Sequence, residues 1–206
     1  AKSWHLTGVF VIDDDTLKFG LSVTGFVDPQ NIWSNNHARP GDQLILTKPL
    51  GTGTLTAGLK RDAYSENDIT DALESMAQLN NAIDFLDNDD LTYIHAATDI
   101  TGFGLMGHAL QMAKASEVQM RFEFAKIPLF DRAVESLQNE FLTKAHRTNR
   151  EYTQDSIDLR HSKQDKILWQ EQILFDPQTS GGLLLAVAKD RAQIICKKLQ
   201  QNFSKA

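Results

Sequence analysis

A chain of 206 residues, 41% hydrophobic and 23% charged, has the size and composition of one water-soluble domain with a sizeable core, which excludes a disordered polymer. Its formal net charge of -6, from 21 basic and 27 acidic residues, leaves no basic footprint for a phosphate backbone, so nucleic acid is not an expected partner. The longest apolar runs, such as residues 182–188, fall far short of a membrane span, and the N-terminus lacks a signal-peptide layout; no membrane partner is expected and the cytoplasm is the expected location.

In chain order, residues 19–27 place Phe19, Leu21, Val23 and Val27 on one alternation, which predicts a strand. Residues 28–42, with Pro29, Pro40 and Gly41, form a turn-rich connector before the apolar run 44–47, a second strand expected at the centre of a sheet. Ser65 followed by Asp68 resembles a capping box, and Ile69, Ala72, Leu73, Met76 and Leu79 recur at helical spacing behind it. Residues 93–97 read as a short strand, and Leu105, His108, Ala109 and Met112 mark a helix beginning near Gly102. Val118, Met120, Phe122 and Phe124 alternate with polar residues, which predicts a half-buried strand, followed by a helix over 130–139.

Residues 143–166 are polar with few large apolar anchors, and are expected to form an exposed or weakly ordered excursion. A buried strand over 183–188 and a helix over 190–199, with Ala192, Ile195, Cys196 and Leu199 on one face, close the chain. Cys196 is the single cysteine, which excludes a disulfide within the chain, and its helical setting suits a buried small hydrophobe. The order of elements predicts an α+β domain, a mixed sheet with helices packed on it as an α/β sandwich.

Three glycine-bearing segments each place small residues between a strand and a helix. The first, Thr47-Lys48-Pro49-Leu50-Gly51-Thr52-Gly53-Thr54, either aims free amides at an anion or is a structural turn; it lacks the spacing of a P-loop. In the second, residues 96–108, Asp99 stands at a strand end ahead of a helix, where a carboxylate suits magnesium bound together with phosphates; equally, Asp99 or Thr101 there can simply cap the helix. His108 reads as structural. The third, residues 175–185, carries Asp176-Pro177-Gln178-Thr179-Ser180-Gly181-Gly182, whose hydroxyls can bond either backbone or ligand.

These segments, from Arg39-Pro40-Gly41-Asp42 through Lys48-Pro49-Leu50-Gly51-Thr52-Gly53, Thr98-Asp99-Ile100-Thr101-Gly102-Phe103-Gly104 and Asp176 to Gly182, closely resemble selenophosphate synthetase in residues, order and separation. Leu21-Ser22-Val23-Thr24-Gly25 and Thr148-Asn149-Arg150 extend the match from about Phe19 to the closing helix. The resemblance implies the C-terminal domain fold of the aminoimidazole ribonucleotide synthetase superfamily, in an enzyme that converts ATP and selenide to selenophosphate, AMP and phosphate. It also implies magnesium and ATP as cofactors, shared with an N-terminal ATP-binding domain of the same protein, and a homodimer at full length.

Carried over residue by residue, Asp99 matches a magnesium-binding aspartate, and Thr101 and Gly102 stand beside it at the ATP site. Of a Gly-Gly-His-Ser/Thr type segment that touches ATP, only Gly8 survives. The reactive cysteine or selenocysteine, the essential lysine and most of the metal-binding aspartates have no counterpart, so the chain alone is expected to be inactive. Residues 1–18 are then a remnant of the inter-domain junction, and 19–206 the domain. Asp13-Asp14-Asp15 reads as an acidic turn. Two alternatives stay open: the matching domain of another ATP-dependent enzyme of the superfamily, and a non-catalytic folding or interaction domain.

Overall fold

The structure, a computed structural model, describes residues 5–6, 22–29, 32–159 and 169–204. The chain divides into two units, 1–32 and 33–206. In the first, β1 (His5–Leu6) pairs antiparallel with β2 (Val23–Thr24), His5 opposite Thr24. The strand expected over 19–27 is thus confined, among the described residues, to Val23–Thr24; Gly25 follows it at once, a residue that weakens a strand.

The second unit is built on a three-stranded antiparallel sheet in the order β3-β5-β4, from β3 (Gln43–Leu46), β4 (Ile94–Asp99) and β5 (Leu183–Val187). The run expected to be central, β3, is therefore an edge among the described strands. The central place belongs to β5, which ladders with β3 on one side and β4 on the other. Its composition explains why: Leu184, Leu185, Ala186 and Val187 are all buried, so apolar side chains are needed on both faces.

Helices cover both faces, giving the expected sandwich. Leu184 packs with Leu50, Ile100 and Leu105 and with helices α4 (Gly104–Ala115), α5 (Ala133–Gln138) and α7 (Trp169–Phe175). On the other face Leu185 and Val187 pack with Ile45, Ile94 and the closing helix α8 (Lys189–Leu199), through Ala192, Ile195 and Leu199. A register shift between Ile94 and Ala96 puts Ile94 in the α8 layer and Ala96 against Met112 of α4, inverting the period-2 rule within one strand. Cys196 is half-buried beside the α8 layer, its thiol pushed up by burial.

The smaller elements complete the frame. After β3 come α1 (Thr52–Leu59), a 3-10 turn over Glu66–Ile69, α2 (Thr70–Ala77) and the short α3 (Asn88–Leu91). Ser65 and Asp68 do form the expected capping box, with the Ser65 amide donating to Asp68 Oδ2 at 2.9 Å. The helix ends at Ala77 and Gln78 is extended, so Leu79 leaves the apolar face and is exposed. The connector is pinned to β4: Ala97 donates its amide to Ser34 O, and His95 Nδ1 lies 2.9 Å from Asp42 Oδ1.

Two expectations fail here for instructive reasons. Residues 118–123 form no strand with any of the described residues: Val118, Met120 and Phe122 do turn inward and Gln119, Arg121 and Glu123 outward, but no ladder partner joins them among the described residues, and a 3-10 turn follows at Phe124–Lys126. Alternation reports one buried face, whereas a strand also needs a neighbour for its backbone. In the polar stretch, residues 144–153 are not a loop but helix α6 (Lys144–Thr153), with Thr143 Oγ1 accepting from the His146 amide at its N-cap. Its buried face is His146, Asn149 and Thr153, held by hydrogen bonds from His146 and Asn149 and by the His146 ring set edge-on to Phe175. Residues 160–168 of that stretch lie outside the described residues.

Candidate functional site

The three glycine-bearing segments converge at one end of the sheet. β4 ends at Asp99, whose partner on β5 is Leu183; the Ile100 amide then donates to Gly182 O at 2.8 Å and the Gln178 amide to Thr101 O at 3.0 Å. The loop between β4 and α4 therefore runs beside the 176–182 loop. That second loop in turn seats on the α1 N-terminus.

There the anion expected as an alternative is supplied by the chain itself. Gln178 Oε1 accepts from the amides of Gly51 (3.0 Å) and Thr52 (3.2 Å) and lies 3.2 Å from the Thr52 hydroxyl, while Asp176 Oδ2 accepts from the Gly53 amide at 3.1 Å. The first donors of the helix are thus satisfied internally, and the first segment is a structural turn. Burial pushes the Asp176 carboxyl up to about 7, against the opposing pull of bonds from Gln178 and from the amides of Gly53 and Thr54. Gly53 has to be glycine: a Cβ would run into Pro177 O and come within 2.7 Å of Asp176 Oδ1. Neither Asp176 nor Gln178 was legible as the partner of this turn; Pro177 and the paired glycines signalled only a fixed loop entering a buried strand.

The helix-cap alternative for Asp99 is not realised. The N-cap of α4 is Phe103, with no side-chain cap bond, and the turn is closed by the Gly104 amide donating to Thr101 O at 2.9 Å. Gly104, at φ 68, takes a conformation that suits glycine. Asp99 is exposed, and its carboxylate makes no hydrogen bond or ion pair among the described residues.

Thr101 faces inward: its amide donates to His108 Nε2 at 3.1 Å, and its hydroxyl lies 3.0 Å from the same nitrogen. That bond makes Nε2 an acceptor, which leaves the His108 proton on Nδ1. Burial lowers the His108 pKa and the nearby Asp99 charge opposes this, so the neutral ring is favoured. Gly102 is exposed with open space where a Cβ would stand, and its carbonyl accepts from Asn149 Nδ2 at 2.8 Å. Asn149 also donates to Phe175 O at 3.0 Å, tying α6 and α7 to this loop. Gly8 and the Asp13-Asp14-Asp15 run lie outside the described residues.

Lys48 completes the frame. Only 2% exposed, it donates to Ser75 O, Gln78 O and Ser180 O at 2.7–3.1 Å, and burial pulls its ammonium below the ordinary lysine value. The arrangement is a set of buried polar locks that present one free carboxylate, Asp99, at the end of a strand. Among the described residues no group of three or more His, Cys, Asp or Glu side chains is placed to hold a metal ion. A lone hard-oxygen ligand still fits magnesium, which keeps several waters and is usually shared with substrate phosphates.

An α/β sandwich with an exposed carboxylate at a strand end, beside a glycine-rich loop, has the layout in which such folds commonly seat a ligand. The chain belongs to the family of AIR synthase related proteins, C-terminal domain, whose family model matches residues 39–205. It is 55% identical over 202 residues to a selenide, water dikinase of Nitrosomonas eutropha and 54% identical over 202 residues to one of Bdellovibrio bacteriovorus, in each case over 98% of this chain and 57% of the relative. The resemblance to selenophosphate synthetases stands, and the chain spans little more than half the length of these relatives. Among solved structures, a hydrogenase maturation protein HypE superposes with a TM-score of 0.50 at 16% identity, over 87% of this chain and 45% of that one, which supports the fold. No helix among the described residues is long and apolar enough to cross a membrane.

Proposed function

We propose that this chain is the C-terminal domain of a selenide, water dikinase, helping to hold magnesium-ATP while selenide is phosphorylated to selenophosphate with release of AMP and phosphate. The observation that carries the reading is Asp99: a solvent-facing carboxylate at the end of β4, unspent on any cap or ion pair among the described residues, in a chain 54–55% identical to two such enzymes. In this reading residues 1–18 belong to the junction with an N-terminal ATP-binding domain, and the full-length protein is a cytoplasmic homodimer.

Magnesium would neutralise the charge of the polyphosphate. Asp99 would supply one of its ligands, and the peptide edge at Thr101 and Gly102, exposed at Gly102, would face the nucleotide. Asn149, His108 and Gln178 fix that edge from behind, through Gly102 O, the Thr101 amide and Thr101 O respectively. Preorganisation of this kind spares the loop its ordering cost when ligand arrives.

The test is Asp99→Asn in the full-length enzyme. Asn keeps the shape and removes the charge, so activity should fall on the order of 10-fold to 100-fold, with partial recovery at raised magnesium and an unchanged thermal melt. Unchanged turnover at low magnesium would reject the assignment.

A further inference from the structure

The 176–182 loop contains a reversal of the usual glycine rule. Gly181 and Gly182 are glycines because a Cβ would strike Ile100 O at one and come within 2.5 Å of the Lys48 amide nitrogen at the other, and neither has a positive φ. The residue whose backbone does ask for glycine is their neighbour Ser180, at φ 47. The other non-glycine residues in this region of φ have a local reason. Asp62, Glu117 and Glu140 follow the C-termini of α1, α4 and α5, where a left-handed residue commonly closes a helix, and Arg132 occupies the N-cap of α5. Ser180 closes no helix.

Its conformation is imposed by the surroundings on both sides. The Thr179 amide donates to Thr52 Oγ1 at 2.9 Å, Ser180 O accepts from Lys48 Nζ at 3.1 Å, and Gly181 O accepts from Asn80 Nδ2 at 2.8 Å. Gly182 O and the Leu183 amide are bonded to Ile100 N and Thr47 Oγ1. Every one of these bonds is to backbone of the loop. The hydroxyl of Ser180 is exposed and has no hydrogen-bond partner among the described residues, on a loop whose neighbour is the Asp99 to Thr101 segment. A strained residue held this firmly, with an exposed hydroxyl that bonds nothing among the described residues, is the pattern of a functional position.

The geometry points to Ser180 Oγ as a ligand contact of the same site: a neutral donor to an oxygen of the metal-bound polyphosphate, from the loop that runs beside the Asp99 to Thr101 segment. This rests on the magnesium-ATP reading above and adds a residue to it. Neither glycine nor alanine at 180 can make the bond. They differ in strain, since glycine relaxes the backbone and alanine retains it.

The experiment compares Ser180→Ala, Ser180→Gly and Asp99→Asn in the full-length enzyme, by KM for magnesium-ATP and by thermal melting. Both Ser180 variants should raise KM on the order of 10-fold, the loss of one hydrogen bond to a charged group, while Ser180→Gly melts higher than wild type and Ser180→Ala does not. Wild-type KM in both Ser180 variants with a defective Asp99→Asn overturns the Ser180 contact and leaves the metal assignment standing. Wild-type behaviour in all three overturns both. A shift in Ser180→Ala alone assigns the effect to backbone shape and overturns the hydroxyl's role.

Discussion

Asp176 Oδ2 accepts the amide of Gly53 at 3.1 Å, so a carboxylate 123 residues further along the chain closes the N-terminus of α1. The same oxygen receives Gln178 Nε2 at 2.9 Å, while Asp176 Oδ1 is buried with no hydrogen-bond partner among the described residues. The group is therefore half satisfied at a fully buried position, and the lock is sensitive to its proton.

The sign of that sensitivity follows from linkage. The folded pKa of about 7 lies above the ordinary value of 3.8, so the native state binds the proton more tightly than the unfolded chain. The contribution is fully present below about pH 4, is lost as pH rises through about 7, and is flat beyond. Asp176→Asn removes it. The stability difference between Asp176→Asn and wild type should rise in favour of the variant between pH 4 and 7, by up to roughly 1.4 kcal/mol per pH unit, and then level off. Urea denaturation of both proteins across that range checks it; a difference independent of pH would show that Asp176 does not titrate there.

Gly53 and Gly102 should respond oppositely to alanine. Within a helix, glycine to alanine ordinarily stabilises by up to about 1 kcal/mol. At Gly53 the new Cβ meets the backbone of Pro177 and the carboxylate of Asp176, so Gly53→Ala should destabilise by about 1–3 kcal/mol, the usual cost of overpacking. Gly102→Ala meets nothing and should leave the melting temperature within a degree or two of wild type. Paired thermal melts decide the matter.

Asn149 donates to both Gly102 O and Phe175 O from a buried position on α6. Asn149→Ala leaves these carbonyls without that partner and should cost about 1–3 kcal/mol. Hydrogen exchange should show the amides of α6 protected in wild type and faster in the variant, with the change extending to the loop at 101–104. Fast exchange over 144–153 in wild type would mean that the polar face does not hold the helix down.

Lys48→Met keeps the stem of the side chain and removes the ammonium from the carbonyls of Ser75, Gln78 and Ser180. The expected loss is about 1–2 kcal/mol, because three part-buried carbonyls lose a charged donor. The last turn of α2 and the 180–182 loop should exchange faster together, since one side chain holds both. Loosening of only one of them would show that the two are held independently.

Taken by itself, the sequence determined the elements whose signal is local. The capping box at Ser65, the apolar face of α8 and the doubly buried run of β5 rest on the residues within a few positions, and the order of elements sufficed for the sandwich. Asp99 was legible as a strand-end carboxylate for the same reason. Tertiary structure alone decided which strand is central, because that depends on two ladders closing from opposite sides. It decided that residues 118–123 find no ladder among the described residues, and that a face of His146, Asn149 and Thr153 is an inner one, since polar side chains reveal burial only through partners elsewhere in the chain. It also decided that the α1 amides meet Asp176 and Gln178 rather than a bound anion. A helix N-terminus attracts any acceptor, and only the fold brings one there from more than 120 residues away.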